Sequence, residues 1–541
     1  MTEAPPVEVE WKLLAPEDVS ETELAAVVAD AGLELSPPSK RHHLDRYFDT
    51  PALDLSRHAI GLRLRESDGT ATLTLKLRVP PDVAASAPWA EGATGAWTRI
   101  ELEADVRKGA APPGRASELP ERLRHYAEPF ALARPLVEIA RLATDRTLRE
   151  LRAPGSGARA ELAVDRVRVQ GAERAGTFTE VEIERLEGSV LPLRRLATDL
   201  ERRLGLVPSA ADKLERALAL AGMEPAERPF SSPGLLPDMP LRFGASRVLR
   251  WHLDALALAE PIARIGEDVE GVHRMRVATR RMRATFRLFA AAFPPKRLAS
   301  AQRFLRKTGT ELGRVRDLDV MQGQLPALGN EVPRSVAADL EPLHALLLHF
   351  HGLARKRLVA WLASEGRLVR AQSFEAFALG VPSRLRGVAG KPLRDFAPGL
   401  LETAAQRVFR RGDRVRKGSP PEHLHALRIE TKRLRYTAEA LVELYGPELD
   451  SFLRRMVKLQ DVLGVYNDAH VAQVLLSRWI DTPQGRKLPR RTLVAVGSMI
   501  AAQDARAGEA RSGFRRVWKD FARDKVRREL DLLLRAPLGP R

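Results

Sequence analysis

The sequence predicts a multidomain fold in which an antiparallel β domain precedes an all-α domain built from a repeat. Three observations lead to this fold class. Short runs of alternating apolar and polar residues fill the first part of the chain, as half-buried strands require. Long Ala-, Leu- and Arg-rich segments with helical periodicity fill the rest. Between the two lies a Pro-rich segment at which the net charge changes sign.

The strands of the first domain are marked by alternation, and Gly- and Pro-rich stretches separate them. The alternating runs are VEVEWKL, GLRLRES, ATLTLKLRV, WTRIELEADV, ELAVDRVRV and FTEVEIERL. The clearest loops are PPDVAASAPWAEGATG and APGSGA. Helical periodicity interrupts this pattern at about 22–31 and 191–204, so two peripheral helices are predicted there.

Each strand collects its charges on one face, because side chains at i and i+2 of a strand point the same way. Glu8, Glu10 and Lys12 share a face, opposite Val9 and Trp11. Four other strands do the same, with the sets Arg63 and Arg65; Thr72, Thr74, Lys76 and Arg78; Arg99, Glu101 and Glu103; and Glu180, Glu182 and Glu184. A polar face is usually the solvated side of an antiparallel sheet. If the sheet instead closes with these faces inward, carboxylates could hold a divalent ion and basic groups could hold phosphoryl oxygens.

A family resemblance favours the second interpretation. EVEWK resembles the ExExK signature of the CYTH superfamily, the triphosphate tunnel metalloenzymes. YFDTPALDLSRHAIGLRLR, TLTLK, RIELE, EVEIE and ADKLERAL follow in the family's order, over about residues 3–220. The resemblance implies an N-terminal antiparallel β-barrel with a hydrophilic tunnel and peripheral helices. It also implies divalent-metal-dependent hydrolysis of triphosphates.

The resemblance assigns expected roles position by position. It implies catalytic roles for Glu8, Glu10 and Lys12. It implies that a divalent metal, Mg²⁺ or Mn²⁺, is bound by Glu8, Glu10, Glu182 and Glu184. It implies that the substrate is bound by Lys12, Arg63, Arg65, Lys76, Arg99, Arg146 and Lys213. The sequence leaves the role of Asp165 open.

The domain boundary is predicted at MEPAERPFSSPGLLPDMPLRFG, because repeated prolines break both periodicities. The predicted domains are 1–222 and 244–541, with a linker at 223–243. The net charge is −5 over residues 1–220 and +23 over the remainder. Such an asymmetry indicates a polyanion partner for the second domain, although a solvated basic surface would give the same composition.

The second domain contains an internal repeat, about 244–390 and 391–530. VHRMRVATRRMRATFRLF aligns with LHALRIETKRLRYTAEAL, and LGRVRDLDV aligns with LGVYNDAHV. Spacings of three and four residues place basic side chains on one helical face in each copy. The two basic stripes are His273, Arg276, Arg280, Arg283 and Arg287, and His425, Arg428, Lys432 and Arg435. A linear polyanion along them would offset the repulsion among like charges.

Beside each basic stripe lies an apolar one, which predicts the core-facing side of the helix. Its members are Val272, Met275, Met282, Phe286 and Phe289, then Leu424, Leu427, Leu434 and Leu441. A third cluster, Arg316, Asp317 and Asp319, is interpreted as a local salt-bridge set.

The repeated segments resemble the CHAD domain, over about 241–530. The resemblance implies two four-helix bundles with pseudo-twofold symmetry. It also implies binding of long-chain inorganic polyphosphate and association with polyphosphate granules. The order of the two domains resembles bacterial CYTH–CHAD inorganic triphosphatases, so the leading hypothesis is hydrolysis of inorganic triphosphate in the tunnel and polyphosphate binding by the helices.

Two alternatives remain open at this point. The protein could be a non-catalytic, granule-associated polyphosphate-binding protein, or its tunnel could act on a nucleoside or thiamine triphosphate. Nucleic acid is not an expected partner, because aromatic residues make up only 5% of the chain and offer few stacking platforms.

Composition sets further limits. The chain has no cysteine, which excludes disulfides and thiolate metal sites. The acidic N-terminus lacks the apolar run of a signal peptide, and no stretch approaches the roughly 20 apolar residues of a membrane span. We therefore expect a cytoplasmic location, with granule association, and no membrane partner.

Overall fold

The computed structural model describes residues 7–15, 19–67, 70–78, 96–107, 109, 111–170, 176–223, 225, 228–229, 231–330, 338–536 and 538. The chain divides into two compact units, 1–229 and 230–541. Part of the segment predicted as a linker belongs to the second unit. Leu235 is buried in the core of that unit, and the backbone N–H groups of Gly234 and Leu235 donate to Glu443 at 3.0 and 2.7 Å.

The described residues of the first unit form a sheet with short helices around it. The strands are β1 (Val7–Ala15), β2 (Glu34–Leu35), β3 (Ser39–Asp49), β4 (Ile60–Ser67), β5 (Thr70–Arg78), β6 (Trp97–Val106), β7 (Val137–Ala153), β8 (Ala158–Gln170), β9 (Thr177–Glu187) and β10 (Val207–Pro208). The helices are α1 (Glu21–Asp30), α2 (Asp54–Arg57), α3 (Glu121–Ala131), α4 (Leu191–Leu204) and α5 (Lys213–Leu220). The predicted helices correspond to α1 and α4, whereas the predicted loop at 80–95 lies outside the described residues.

Eight of these strands close into the antiparallel barrel that the resemblance implied. The order is β1-β6-β5-β4-β3-β7-β8-β9, and β9 pairs with β1 to complete the ring. At the closure, Glu10 is opposite Glu184 and Lys12 is opposite Glu182. Paired residues of an antiparallel sheet share a face, so these charges lie on the same side.

The outer face of β1 is apolar, which turns its charged face inward. Val9, Trp11 and Leu13 are buried in a cluster with residues of α1 and α4, among them Leu24 and Leu196. Burial of these large side chains against two amphipathic helices fixes the register of β1, since a one-residue slip would move them to the inner face.

Helix α5 covers the inner face at one end of the barrel. Its apolar residues Leu214, Ala217 and Leu218 pack in one buried cluster with Tyr47, Leu142, Val167 and Val169 of β3, β7 and β8. This packing places the N-terminus of α5, and Lys213 with it, beside the charged interior.

The second unit is helical. Its described α-helices are α6 (Leu241–Ile265), α7 (Glu270–Leu288), α8 (Pro295–Asn330), α9 (Glu341–Leu362), α10 (Glu365–Leu379), α11 (Ala397–Gly412), α12 (Pro421–Tyr445), α13 (Pro447–Ile480), α14 (Arg490–Phe521) and α15 (Asp524–Arg535). None of the helices in the described ranges is both long and apolar enough to cross a membrane.

The repeat appears as two successive sets of five helices, α6–α10 and α11–α15. Each set ends in a short fifth helix, where the resemblance implied four. The first pair of aligned segments, which carries the basic stripes, lies in α7 and α12. The predicted apolar stripes of both helices are buried. One continuous core joins the two sets, so they fold as a single unit.

Candidate functional site

The barrel encloses a cavity of about 360 Å³ whose walls are almost entirely charged. Eight acidic and eight basic side chains line it, and the remaining lining residues are Tyr47, Gly61 and Leu214. All the metal, substrate and catalytic residues predicted for this domain contribute to the walls: Glu8, Glu10, Lys12, Arg63, Arg65, Lys76, Arg99, Arg146, Glu182, Glu184 and Lys213. The folded chain therefore brings these predicted residues, which come from six strands and one helix, to the wall of one cavity.

Glu182 lies at the centre of the cationic part of the cavity. Its Oε1 contacts the ammonium groups of Lys12 and Lys213, the latter at 2.8 Å, and its Oε2 accepts from Arg146 at 2.7 Å. Burial opposes the charged carboxylate, but the three cations outweigh it and hold the pKa of Glu182 well below its usual range. Glu182 thus holds three cations together, and its predicted metal role stays a prediction.

Lys213 is the first residue of α5, where an ammonium group opposes the positive end of the helix dipole. Three carboxylates offset this: Asp165 at 2.7 Å, Glu182 at 2.8 Å and Glu180 at 3.2 Å. Burial opposes the charged form of Lys213, yet these carboxylates raise its pKa. The N-cap Asp212 completes the helix start, since its side chain accepts from Glu215 N at 2.8 Å.

Two fully buried aspartates position the guanidinium groups that reach the cavity. Asp165 accepts two hydrogen bonds from Arg146, at 2.8 and 2.7 Å, and Asp45 accepts two from Arg65, at 2.7 and 2.8 Å. Neither aspartate lines the cavity. Bidentate pairs of this kind fix the plane of a guanidinium group. Asp165, whose role the sequence left open, therefore acts as a positioning residue for Arg146.

The opposite part of the cavity is acidic. Glu8 and Glu101 share the ammonium group of Lys76, at 3.1 and 3.0 Å. Glu184 forms no ion pair with a described residue. Burial, together with the charges of Glu8 and Glu10, raises the pKa of Glu184 to about 7. Glu161 lies directly across the β8–β9 pair from Glu184.

These carboxylates suit a hard divalent cation. Oε1 of Glu10 is buried and accepts no hydrogen bond from a described residue, its nearest cation being Nε of Arg99 at 3.5 Å, and the raised pKa of Glu184 marks a carboxylate that a cation would stabilise. In the described part of the chain, no three His, Asp or Glu side chains form a preassembled metal cage. Mg²⁺ commonly binds through one or two carboxylates plus substrate phosphates and water, so the donor set fits it without such a cage.

In the helical unit, the two basic stripes meet at their centres. The ammonium group of Lys432 is half-buried, and this burial together with the charges of Arg428, Arg280 and Arg276 lowers its pKa to about 8. Arg280 also lies over the ring of Tyr436, 5.6 Å from its centroid. Four predicted polyphosphate-binding residues, two from each repeat, therefore repel one another across one surface.

The remaining stripe residues have further polar or charged neighbours. Arg435 donates to Glu439 at 2.6 Å and to Gln460 at 2.7 Å, and His425 shares a hydrogen bond with Asn467 at 3.1 Å. The charge of Arg306 acts on Arg283, and that of Arg433 acts on Arg287, while His273 lies near Arg316. The two stripes thus come together at Arg276, Arg280, Arg428 and Lys432, and Arg287 approaches α12 separately, beside Arg433 and Tyr436.

The cluster interpreted as a local salt-bridge set is not local. Asp319 binds His351 of α9 at 2.8 Å, and Asp317 lies 4.0 Å from Arg276 of α7. The second repeat has the equivalent pair, Arg428 with Asp468 at 3.2 Å. One aspartate per repeat therefore faces a converging arginine.

Comparison with known protein families assigns a family to each of the two parts of the chain. Residues 7–218 match the CYTH domain family, and residues 247–477 match the CHAD domain family. The chain is a CYTH domain followed by a CHAD domain. The CYTH assignment indicates an enzyme that acts on triphosphates, in a family that generally depends on Mg²⁺ or Mn²⁺.

Several proteins are similar to this chain at low identity. An uncharacterized protein of Mycobacterium tuberculosis, found in two strains, is 26% identical over 496 residues, which cover 86% of this chain and 87% of the relative. A CHAD domain from the plant Ricinus communis is 25% identical, with a TM-score of 0.46 over 58% of this chain and 99% of its own. A Hippeastrum protein described as an adenylyl cyclase with a dominant triphosphatase activity is 20% identical, with a TM-score of 0.27 over 40% of this chain and 97% of its own.

Five charged residues of the CYTH cavity were not among the predicted site residues: Arg41, Glu101, Glu103, Glu161 and Asp212. Alternation could have found most of them. Glu101 and Glu103 share the strand face of Arg99, Glu161 shares that of Asp165, and Arg41 is paired with Arg146 on the neighbouring strand. Asp212 is positioned by its role as a helix cap, which alternation does not report.

Proposed function

We propose that the CYTH domain hydrolyses inorganic triphosphate with the help of a divalent cation, and that the CHAD domain binds long-chain inorganic polyphosphate. The charged lining of the barrel cavity carries the first half of this proposal. Tyr47 and Leu214 supply its only uncharged side chains among the described residues. A nucleoside or thiamine triphosphate would need an apolar or stacking surface for its organic part, and this lining favours a ligand made of phosphate alone.

The cationic part of the cavity supplies the phosphate contacts. Lys12, Arg146 and Lys213 surround Glu182, and Arg65 is held by Asp45. Guanidinium groups fixed in this way can donate two parallel hydrogen bonds to a phosphoryl group, and ammonium groups add positive charge beside it. These residues would bind and align the triphosphate chain without rearranging the barrel.

The acidic part supplies the cation site. Glu8, Glu10 and Glu184 would hold the ion, with Glu161 close behind Glu184. When bound, a divalent cation neutralises phosphate charge and lowers the pKa of a coordinated water. Glu8, Glu10 and Glu184 would orient that ion against one end of the triphosphate. Lys12, Arg146 and Lys213 would hold the other end.

The CHAD half of the proposal rests on Arg276, Arg280, Arg428 and Lys432. Burial and the repulsion among these cations lower the pKa of Lys432, and a polyanion laid across them would remove that repulsion. Two acidic residues lie beside this surface: Asp317 is near Arg276, and Asp468 is near Arg428.

The test is phosphate release from tripolyphosphate by the full-length protein, with Mg²⁺ or Mn²⁺ and with chelator, against ATP and thiamine triphosphate. Glu10→Gln should lower the rate about a hundredfold or more, the scale of losing one electrostatic contact in an active site. Glu187→Gln is the matched control, since Glu187 is an exposed residue of the same barrel paired with Arg159. Both variants are checked for folding by circular dichroism.

The outcomes separate the candidate functions. Metal-dependent release from tripolyphosphate that is lost in Glu10→Gln but kept in Glu187→Gln supports the proposal. Faster turnover of ATP or thiamine triphosphate would show that the substrate is wrong. No release from any of them, with long-chain polyphosphate still bound, would leave a polyphosphate-binding protein without this activity.

A further inference from the structure

The helical unit contains a second cavity, of about 420 Å³, formed by α8, α9 and α10. None of the basic-stripe residues of α7 and α12 lines it, and neither does any acidic residue. Its volume lies within the range of about 300–1,000 Å³ that is usual for small-molecule sites. It is therefore separate from both sites described above.

The floor of this cavity is aromatic and rigid. Phe374 and Phe377 of α10, Phe304 of α8 and Trp361 of α9 line it. Phe304 and Phe374 lie 5.1 Å apart between ring centroids, and Phe377 stacks on the buried Phe286 at 6.0 Å with 9° between the ring planes. Phe374 and Phe377 are held in the buried core, whereas Phe304 and Trp361 are half-buried and give the cavity its more accessible aromatic surface.

The rim of the cavity is cationic, and most of its positive charge has no acidic partner among the described residues. Arg303 and Arg370, both exposed, form no ion pair with a described residue, and Arg297 lies over the ring of Phe377, 5.0 Å from its centroid. Lys307 is the rim residue with an acidic partner, Glu311, at 2.6 Å. Behind the floor, burial, with a further contribution from the charge of Arg297, lowers the pKa of Arg242 to about 10.

A ligand for this cavity must combine a flat ring system with more than one negative charge. Inorganic phosphate or polyphosphate would leave the aromatic floor unused. A carboxylic acid would bring one charge to a rim of several cations. A phosphate ester brings about −1.5 to −2 charges and three acceptor oxygens, which suits two guanidinium groups.

From this combination we propose that the cavity between α8, α9 and α10 is a binding site for a mononucleotide. The base stacks on the aromatic floor at Trp361 and Phe304, and the phosphate lies between Arg303 and Arg370. Base stacking on aromatic side chains contributes about 1–3 kcal/mol per base. The site is independent of the proposed triphosphatase, because it lies in the other compact unit.

The test is calorimetric titration of the full-length protein with AMP and GMP, without metal, alongside ribose 5-phosphate and inorganic phosphate. Arg370→Glu reverses an exposed charge at the rim, and Ser373→Trp fills the cavity from an exposed position on α10. Each should weaken AMP or GMP binding about tenfold or more. Nucleotide binding in the barrel cavity should be the same in the wild type and in both variants. The binding that the variants retain is therefore subtracted from that of the wild type.

Two variants on α14 serve as matched controls. Arg516→Glu changes the same charge at an exposed position, and Ser512 resembles Ser373 in that its hydroxyl donates to the carbonyl four residues earlier. Arg516→Glu and Ser512→Trp should leave the affinity unchanged. The proposal is overturned if neither nucleotide binds saturably, if binding ignores Arg370→Glu, or if ribose 5-phosphate binds as tightly as AMP.

Discussion

Lys432 links the electrostatics of the CHAD surface to a measurable pH dependence. Its pKa of about 8, lowered by burial and by the neighbouring arginines, means that it loses its charge as the pH rises through that value. Between pH 8 and the ordinary lysine pKa of 10.5, the folded protein binds fewer protons than the unfolded chain. The charged form of Lys432 therefore costs stability fully below pH 8, and this cost falls away progressively as the pH rises from 8 to 10.5.

Binding of a polyanion should respond in the opposite sense. If long-chain polyphosphate lies across Arg276, Arg280 and Lys432, its affinity should fall as the pH rises from 7 to 9, because one cation is lost. Lys432→Arg should keep the affinity at pH 9, since arginine stays charged. Fluorescence anisotropy with labelled polyphosphate at constant ionic strength measures both. Equal pH dependence in the wild type and in Lys432→Arg would exclude Lys432 from the binding surface.

Individual side chains also show how far the sequence could lead. Alternation placed Glu8, Glu10 and Lys12 on one strand face and Glu184 on another, because the period of a strand determines its faces, and the family resemblance indicated that these faces point inward, as they do. It could not show that Glu182 is already surrounded by three cations, since those cations come from β1, β7 and α5. Ion pairing depends on which strands become neighbours, and that is information about topology.

Helix α5 couples a local sequence signal to the chemistry of the barrel. Asp212 caps the helix and also binds Arg99 at 3.2 Å, so one carboxylate serves two elements. Because the cap fixes the first turn, it also fixes the direction in which Lys213 enters the cavity.

Asp212→Ala should lower the free energy of unfolding by about 1 kcal/mol, the usual cost of losing an N-cap. In a unit of this size that corresponds to a fall in Tm of about 2–4 °C. Asp212→Asn retains an acceptor for the N–H of Glu215 and should recover most of the loss. Thermal unfolding followed by circular dichroism decides between the two contacts. If Asn destabilises as much as Ala, the charge beside Arg99 matters more than the cap.

Other elements were less accessible from the sequence. Helix α3 was not predicted, and it contains Pro129 near its end, a residue that ordinarily indicates a helix boundary. The fifth helix of each repeat, α10 and α15, was likewise absent from the four-helix expectation. Residues of α10 and α15 pack in the buried core, and such packing, more than intrinsic propensity, stabilises short helices.

Each compact unit has its own buried core, so the two should function when separated. A chain of residues 1–229 should fold and hydrolyse tripolyphosphate at a rate comparable to that of the full-length protein. A chain of residues 230–541 should bind long-chain polyphosphate, with an affinity that falls steeply as salt is added. Activity assays and binding titrations on the two purified fragments test this. A fragment that folds but has lost its activity would show that the units depend on each other.

The closure of the barrel has a consequence for synthesis of the chain. β1 pairs with β9, which brings Glu10 opposite Glu184, and between them lie all the other strands of the ring. On the ribosome, β1 emerges long before its second partner, so the ring stays open until β9 has left the exit tunnel. Until then β1 and β8 present free hydrogen-bonding edges, which are sites of aggregation. A nascent chain arrested before residue 177 should therefore need a chaperone that a completed chain does not.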